Sequence, residues 1–338
     1  MDTIKIKKID YRIVRMRAFA ILVVMFGHSI ILYNSSWNLY ATNQVSPVLD
    51  KLKVIINTFQ MPLFLAISGF CFYLSLSKRE HWNDSEIWTE IRKKFVHLII
   101  PFICVALLYM IPIRKFCNYG NWIGKNYISV AIEVFIGRDS GHLWFLPTLF
   151  YIFVICYIVL SKISSVKFDA LFLLTSFACM IVSSRVPVLL FANYLASSLY
   201  WFLLGFYINK YLISKRDITN GVLYIAFAIC VALGGSIEFF INNVYAHLLL
   251  EKIAVTVILI LAFLIVPKKE CNSVTKTISD LSMGLYLIHS PLIYITFSTI
   301  PNESPILVIS INFVLFGLVS MIAAYLIKNS KIRGVIGY

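Results

Sequence analysis

Arg17 and His28 are the two residues of the first apolar segment whose types and spacing could do chemistry. They are eleven residues apart, which on an α-helix is three turns plus about 20°, so they share one face roughly 16 Å apart along the axis. A guanidinium binds phosphate through a bidentate fork, and a histidine, which titrates near working pH, can take a proton from a nucleophile. The pair therefore predicts a phosphate-binding end and a reacting end on one helix.

Both residues also have simpler structural interpretations. Arg17 could be a snorkelling anchor at the membrane surface, and His28 could form an interhelical hydrogen bond. His289, in SMGLYLIHSPL, is expected at a similar depth to His28, and His142, in GHLWFLPTLF, begins another apolar segment. Because ionisable groups at membrane depth are costly and tend to mark function, several histidines together favour the chemical interpretation over the structural one.

The remaining candidates form two groups. A basic run, RKKFVHLIIPF, precedes the third apolar segment and suits a phosphate-bearing ligand. The candidate phosphate-binding residues beside Arg17 are Arg92, Lys93, Lys94 and His97. The candidates for lining the site or contacting an acceptor are Gln60, Ser68, His142, Trp144 and Tyr286, although small residues at such positions more often serve helix packing.

The elements that must position these residues are membrane helices. The chain has 338 residues, of which 60% are hydrophobic and 14% charged, whereas globular domains have about a quarter charged residues. A helix needs roughly 18 or more apolar residues to cross the hydrocarbon core. Ten segments qualify or come close: 17–34, 54–76, 95–113, 143–161, 168–184, 188–208, 221–241, 246–266, 278–299 and 305–327. We therefore expect an all-α integral membrane bundle of about ten transmembrane helices.

The distribution of charge indicates orientation rather than a nucleic-acid partner. The formal net charge is +14. With the N-terminus inside, 22 of the Lys and Arg residues fall in cytoplasmic segments and seven, among them Lys53 and Arg114, in outer loops. This excess is the positive-inside pattern. It predicts that both termini are cytoplasmic and that the partner is a lipid bilayer.

The sequence lacks the patterns of several other enzyme classes. There are no paired carboxylates in the apolar segments, no HExxH and no phosphate-cradling glycine loop. The seven cysteines stand singly without CxxC spacing, which predicts neither disulfides nor a zinc site. We expect no permanently bound cofactor and no metal, although a metal held by His28 and His289 and a thioester-forming cysteine stay open as alternatives.

The longest outer connection, Ile113 to His142, is a candidate cover for the site, since long loops on one side of a bundle often carry function. Within it, Tyr127 to Ile136 has apolar residues at helical spacing. This stretch predicts a short helix along the outer interface.

The chain resembles the membrane acyltransferase-3 family, in particular its short members without an appended domain that modify bacterial surface glycans. The family pattern of Arg, ten residues and His is met in RMRAFAILVVMFGHS, and FQMPLFLAISGF, GHLWFLPTLF and SMGLYLIHSPL are similar to three further family segments. Two segments depart from the pattern. Relatives often have His where Gln60 stands, and the nearest match to their basic pair is Lys94 and His97, ahead of Pro101.

The resemblance implies one acyltransferase domain over residues 1–338, in the plasma membrane of a bacterium and with many spans. It implies transfer of an acyl group, usually acetyl, from acetyl-CoA on the cytoplasmic side to a hydroxyl of a lipid-linked or cell-surface sugar. Arg17 and the basic cluster would bind the phosphates of the donor. His28 would be the general base or would activate an acyl-enzyme, and His289 and His142 would orient the sugar or stabilise the oxyanion.

Two other functions stay open. Helices with mid-depth histidines also describe a glycan or small-molecule transporter or flippase with proton-coupling histidines, although the sequence shows no internal repeat. A structural membrane scaffold is the third, but it would need no aligned Arg and His. The identity of the sugar and the oligomeric state do not follow from the sequence.

Overall fold

The computed structural model describes residues 10–79, 81–163, 165–213, 221–241 and 243–338, with the backbone only at residues 238 and 239. The described part is helical, with short 3₁₀ and π turns. Its eleven main helices are α1 (Tyr11–Ser29), α2 (Pro47–Leu76), α3 (Asp84–Phe116), α4 (Tyr127–Phe135), α5 (Gly141–Leu160), α6 (Val166–Arg185), α7 (Ala192–Tyr207), α8 (Gly221–Phe240), α9 (Val244–Ile265), α10 (Ser273–Thr299) and α11 (Pro305–Lys328).

Seven of the described helices, α2, α3, α5, α6, α9, α10 and α11, are long and apolar enough to cross a membrane. Each of the ten predicted segments overlaps a helix, so the all-helical fold is confirmed over the described residues, with seven candidate membrane spans. Ten spans and cytoplasmic termini stay predictions. Among the seven, α10 is central, since 72% of its apolar window is buried, and α6 is peripheral, with 17%.

The first helix lies earlier in the chain than its apolar run indicates. We expected it over 17–34, but α1 runs from Tyr11 to Ser29. The reason is at its start, where the Asp10 side chain accepts hydrogen bonds from the backbone N–H (3.0 Å) and the guanidinium (2.6 Å) of Arg12, an N-cap that satisfies an otherwise unpaired donor. As a result, Arg17 is in the second turn of α1 and His28 is in its last.

α1 and α10 run parallel and begin at the same level. At their starts, Arg15 donates to the carbonyls of Pro267 (2.9 Å), Lys269 (2.5 Å) and Glu270 (3.0 Å). At the opposite end, the Thr42 hydroxyl donates to the carbonyl of Pro301 (2.6 Å). We call the first end the Arg17 end and the other the far end.

α2 crosses α7 at a very close backbone contact. A Cβ on Gly69 would overlap the carbonyl of Phe202, and a Cβ on Gly205 would overlap that of Ala66. The Asn209 side chain also donates to the carbonyl of Phe70 at 3.0 Å. Two glycines facing one another let the helices approach, as in other close-packed membrane helices.

Two basic residues predicted in outer loops lie in helices instead. α2 begins seven residues before its predicted apolar run and so includes Lys53, and α3 continues through a π turn at Ala106–Met110 to include Arg114. Both side chains are buried, so their assignment to loops was wrong. The helix expected over Tyr127 to Ile136 is confirmed as α4.

Candidate active site

His28 and His289 form a hydrogen-bonded pair. Counted from the first residue of its helix, His28 in α1 and His289 in α10 occupy positions that differ by one residue. Because the two helices run parallel from the same level, the histidines lie at one level. His28 Nδ1 lies 2.8 Å from His289 Nε2, and the ring planes are 14° apart. The sequence predicted both residues at similar depth, and the fold makes them partners.

The hydrogen bonds of this pair assign its tautomers. His289 Nδ1 lies 2.6 Å from the carbonyl oxygen of Leu285, which only accepts, so Nδ1 carries the proton and Nε2 has the lone pair. His28 Nδ1 must then donate to His289, which leaves the lone pair of neutral His28 on Nε2. No described residue hydrogen-bonds to that atom, so His28 Nε2 is available as a base.

His142 is the third histidine of the site. Its ring centroid is 6.4 Å from those of His28 and His289. Its Nε2 lies 3.4 Å from the carbonyl oxygen of Leu287, while its buried Nδ1 has no hydrogen-bond partner. The Tyr286 hydroxyl donates to the His142 carbonyl and fixes the turn that presents the ring. Neutral His142 therefore offers a lone pair at Nδ1.

Lys53 is a residue of this region that the sequence reasoning missed. Its side chain is 2% exposed. The position that a Cβ would take on Gly27 lies 3.4 Å from Lys53 Nζ and 3.0 Å from Gln60 Oε1, so both groups reach α1 just before His28. Lys53 and Gln60 are seven residues apart, on one face of α2, and this spacing is the signal that could have revealed Lys53.

Arg114 is held among aromatic rings beside the histidines. It is 1% exposed, donates to the Tyr294 hydroxyl at 2.7 Å and pairs with Asp139 at 3.8 Å. Its guanidinium lies 4.6 Å from the centroid of the Tyr119 ring, a cation–π distance. Gly141 has φ +54°, and a Cβ there would overlap the guanidinium. Glycine at this position therefore admits Arg114 next to His142.

At the Arg17 end, Arg17 and Lys94 converge on Cys71, whose thiol interacts electrostatically with both. The Lys94 ammonium also lies 4.3 Å from the Phe153 ring centroid. The other predicted phosphate-binding residues of α3 are exposed, namely Arg92, Lys93 and His97. Because neighbouring positions on a helix face different directions, Lys94 is the one of these four basic residues whose side chain faces inward.

The other predicted lining residues lie in different surroundings. The Ser68 hydroxyl donates to the carbonyl of Phe64 in its own helix at 2.9 Å. Trp144 stacks on Tyr194 with 4.6 Å between ring centroids. It also borders a cavity of about 250 Å³ whose polar lining residues include four serines and Asn57. The Asn57 side chain accepts from Gln60 Nε2 at 2.9 Å, so this cavity adjoins the Gln60 side of the histidine site.

Within the described ranges, no group of three or more His, Cys, Asp and Glu side chains is placed to hold a metal ion. In the direct contact between the two histidines, His289 Nε2 uses its lone pair to accept the proton of His28 Nδ1. The arrangement is that of a base and its orienting partner.

Comparison with models of known protein families identifies the family of the chain. A family model described as an acyltransferase domain matches residues 10–328, which is nearly the whole chain. No curated protein and no solved structure matches the chain.

Proposed function

The chain belongs to the acyltransferase-3 family, and from this we propose that it is a membrane O-acetyltransferase. It moves the acetyl group of acetyl-CoA to a hydroxyl of a lipid-linked or cell-surface sugar, in a bacterial plasma membrane. The observation that carries the proposal is the His28–His289 pair, because its hydrogen bonds leave a lone pair on His28 Nε2 for a hydroxyl proton.

In the proposed reaction, His28 Nε2 removes the proton of the sugar hydroxyl as its oxygen attacks the thioester carbonyl carbon. The C–S bond then breaks, its electron pair leaves on the coenzyme A sulfur, and the His28 imidazolium returns the proton to that sulfur. His289 accepts from His28 Nδ1 throughout and so stabilises the imidazolium. His142 Nδ1 accepts a hydrogen bond from another sugar hydroxyl.

The donor is proposed to bind with its phosphates at the Arg17 end. Arg17 and Lys94 supply charge near Cys71, and the exposed residues Arg92, Lys93 and His97 extend it at the surface. Because phosphate and thioester are at opposite ends of a long flexible arm, the separation of roughly 16 Å between Arg17 and His28 suits this donor. The positive-inside pattern supports a cytoplasmic position for this end.

A proton-coupled transporter is the alternative, since a hydrogen-bonded histidine pair can also load and release a proton. The two functions differ in their product. An acetyltransferase makes a new ester bond, whereas a transporter returns the sugar lipid unchanged in the other leaflet.

The test uses purified protein in liposomes with bacterial glycolipid extract and acetyl-CoA labelled in the acetyl group. We expect label in glycolipid with wild type and with His81→Ala, a control at an exposed loop histidine, and none above background with His28→Ala. Arg17→Ala should raise the KM for acetyl-CoA. Glycolipid movement between leaflets without label in glycolipid would contradict the proposal and favour transport.

A further inference from the structure

Lys53 is a buried cation that the proposed reaction does not use. Among the described residues it has neither a hydrogen-bond nor an ion-pair partner, although it is 2% exposed. The two buried arginines are different, since Arg12 pairs with Asp10 at 2.6 Å and Arg114 with Asp139 at 3.8 Å. A buried charge without a partner is unfavourable, so a ligand that brings an anion would compensate it.

The surroundings of Lys53 contain no available carboxylate in the described part of the chain. Asp50, one turn earlier on α2, accepts from Asn34 (2.9 Å) and from the backbone N–H of Ser35 (3.0 Å). Asp139 faces Arg114. Lys53 and Arg114 both interact electrostatically with His28. Asp139 is the counter-ion of Arg114, so among the described residues Lys53 is the one of the two that is left without a counter-ion.

The position of Lys53 excludes the phosphates of the donor as that anion. The Lys53 ammonium lies at Gly27, ten residues after Arg17 on α1, which is about 15 Å along the helix axis. Cys71 marks the Arg17 end, where the phosphates are proposed to bind. The anion at Lys53 must therefore arrive with the other substrate, the acceptor.

Gln60 indicates what else the acceptor carries. Its Oε1 is buried without a hydrogen-bond partner, and its Nε2 donates to Asn57. The free amide oxygen accepts a hydrogen bond, which a hydroxyl supplies and a carboxylate does not. One ammonium beside one acceptor atom thus fits a hydroxylated molecule with a single negative charge.

We propose that the acceptor is an acidic sugar whose carboxylate binds Lys53 and whose hydroxyl donates to Gln60, next to His28. This inference rests on the proposed acetyl transfer and specifies its substrate class. A single ammonium matches the one negative charge of a carboxylate, and the neighbouring Arg114 already donates to Tyr294 at 2.7 Å and pairs with Asp139 at 3.8 Å.

The first experiment determines the charge of the labelled product. Wild-type protein labels a mixed bacterial glycolipid extract from acetyl-labelled acetyl-CoA, and the released glycans are passed over an anion exchanger before and after chemical reduction of carboxyl groups. We expect label in retained glycans that lose retention after carboxyl reduction. Label in neutral glycans, or retention that survives reduction as a phosphate would, overturns the proposal but leaves acetyl transfer intact. No label in any glycan refutes acetyl transfer itself.

The second experiment assigns the role of Lys53. Lys53→Met keeps the length of the side chain and removes an unpaired buried charge, so the variant should fold. We expect its KM for the acidic glycolipid to rise about tenfold or more, a loss of over 1 kcal/mol in binding, with the KM for acetyl-CoA unchanged. Lys51→Met, at an exposed position of the same helix, should match wild type. A fall in kcat alone would mean that Lys53 stabilises the oxyanion, and would overturn the proposal.

Discussion

At the scale of single residues, the site depends on which nitrogen of each histidine carries a proton. The carbonyl of Leu285 fixes His289, and His289 fixes His28. This chain of two hydrogen bonds does what a carboxylate does in a serine-hydrolase triad, where the third group orients the base. His289 is thus a positioning residue, and His28 is the catalytic residue of the proposed reaction.

Replacing His289 should lower kcat with little change in either KM. His289→Leu removes the acceptor for His28 Nδ1–H, and general-base catalysis contributes about 10²- to 10⁴-fold, so we expect a loss within that range. His289→Gln keeps an acceptor oxygen and should retain more activity than His289→Leu. Initial rates of acetyl transfer measure both, and equal rates for the two variants would contradict the positioning role.

Gly141→Ala should displace Arg114. The new Cβ would overlap the guanidinium and would also strain a backbone with φ +54°. Gly124→Ala is the matched control, because Gly124 has φ +75° but nothing within 4 Å of a Cβ. We expect Gly141→Ala to unfold at a lower temperature than Gly124→Ala and to lose acetyl transfer. Equal behaviour would show that backbone strain alone matters.

At the scale of the elements, hydropathy found the helices but not their polar ends. Every apolar segment overlaps a helix, yet α1, α2 and α3 extend beyond their apolar runs. Caps such as Asp10 and the Asn83–Glu86 capping box set the starts of α1 and α3, and hydropathy does not detect them. The histidines were therefore predicted from type and depth, whereas Lys53 and Arg114 were missed because they lie in those extensions.

We expect that no side chain larger than that of glycine fits at Gly69 or Gly205, where α2 crosses α7. Gly205→Ala puts a Cβ onto the carbonyl of Ala66, and overpacking of this kind costs about 1–3 kcal/mol or more. We expect a clear fall in the thermal stability of the detergent-solubilised protein. Gly235→Ala, which has nothing within 4 Å, should be neutral or slightly stabilising, and an equal fall there would refute the explanation.

At the scale of the whole molecule, the two ends of the bundle carry different chemistry. The Arg17 end holds the proposed phosphate site, and the histidines, with Lys53 and Arg114, lie further toward the far end, at the level of the middle of α10. Orientation in the membrane therefore decides which substrate comes from which side. The predicted topology places the Arg17 end and both termini in the cytoplasm.

Labelling of single cysteines in a cysteine-free background tests this topology in intact cells. Lys331→Cys, exposed after α11, should react with a membrane-impermeant maleimide only after permeabilisation. Val45→Cys, in the connection between α1 and α2 where Val45 is 88% exposed, should react without it. The reverse result would place the histidines on the cytoplasmic side.

The parallel arrangement of α1 and α10, which begin at the same level, has a further consequence for the cell. Arg17 and His28 are fixed on one rigid helix. In the proposed reaction the nucleotide of the donor therefore stays at the cytoplasmic end, where acetyl-CoA is regenerated, and only the thioester end reaches the acceptor. Glycans beyond the bilayer can then be decorated without exporting any high-energy metabolite. The extent of decoration would follow the cytosolic ratio of acetyl-CoA to free coenzyme A and so report the metabolic state of the cell on its surface.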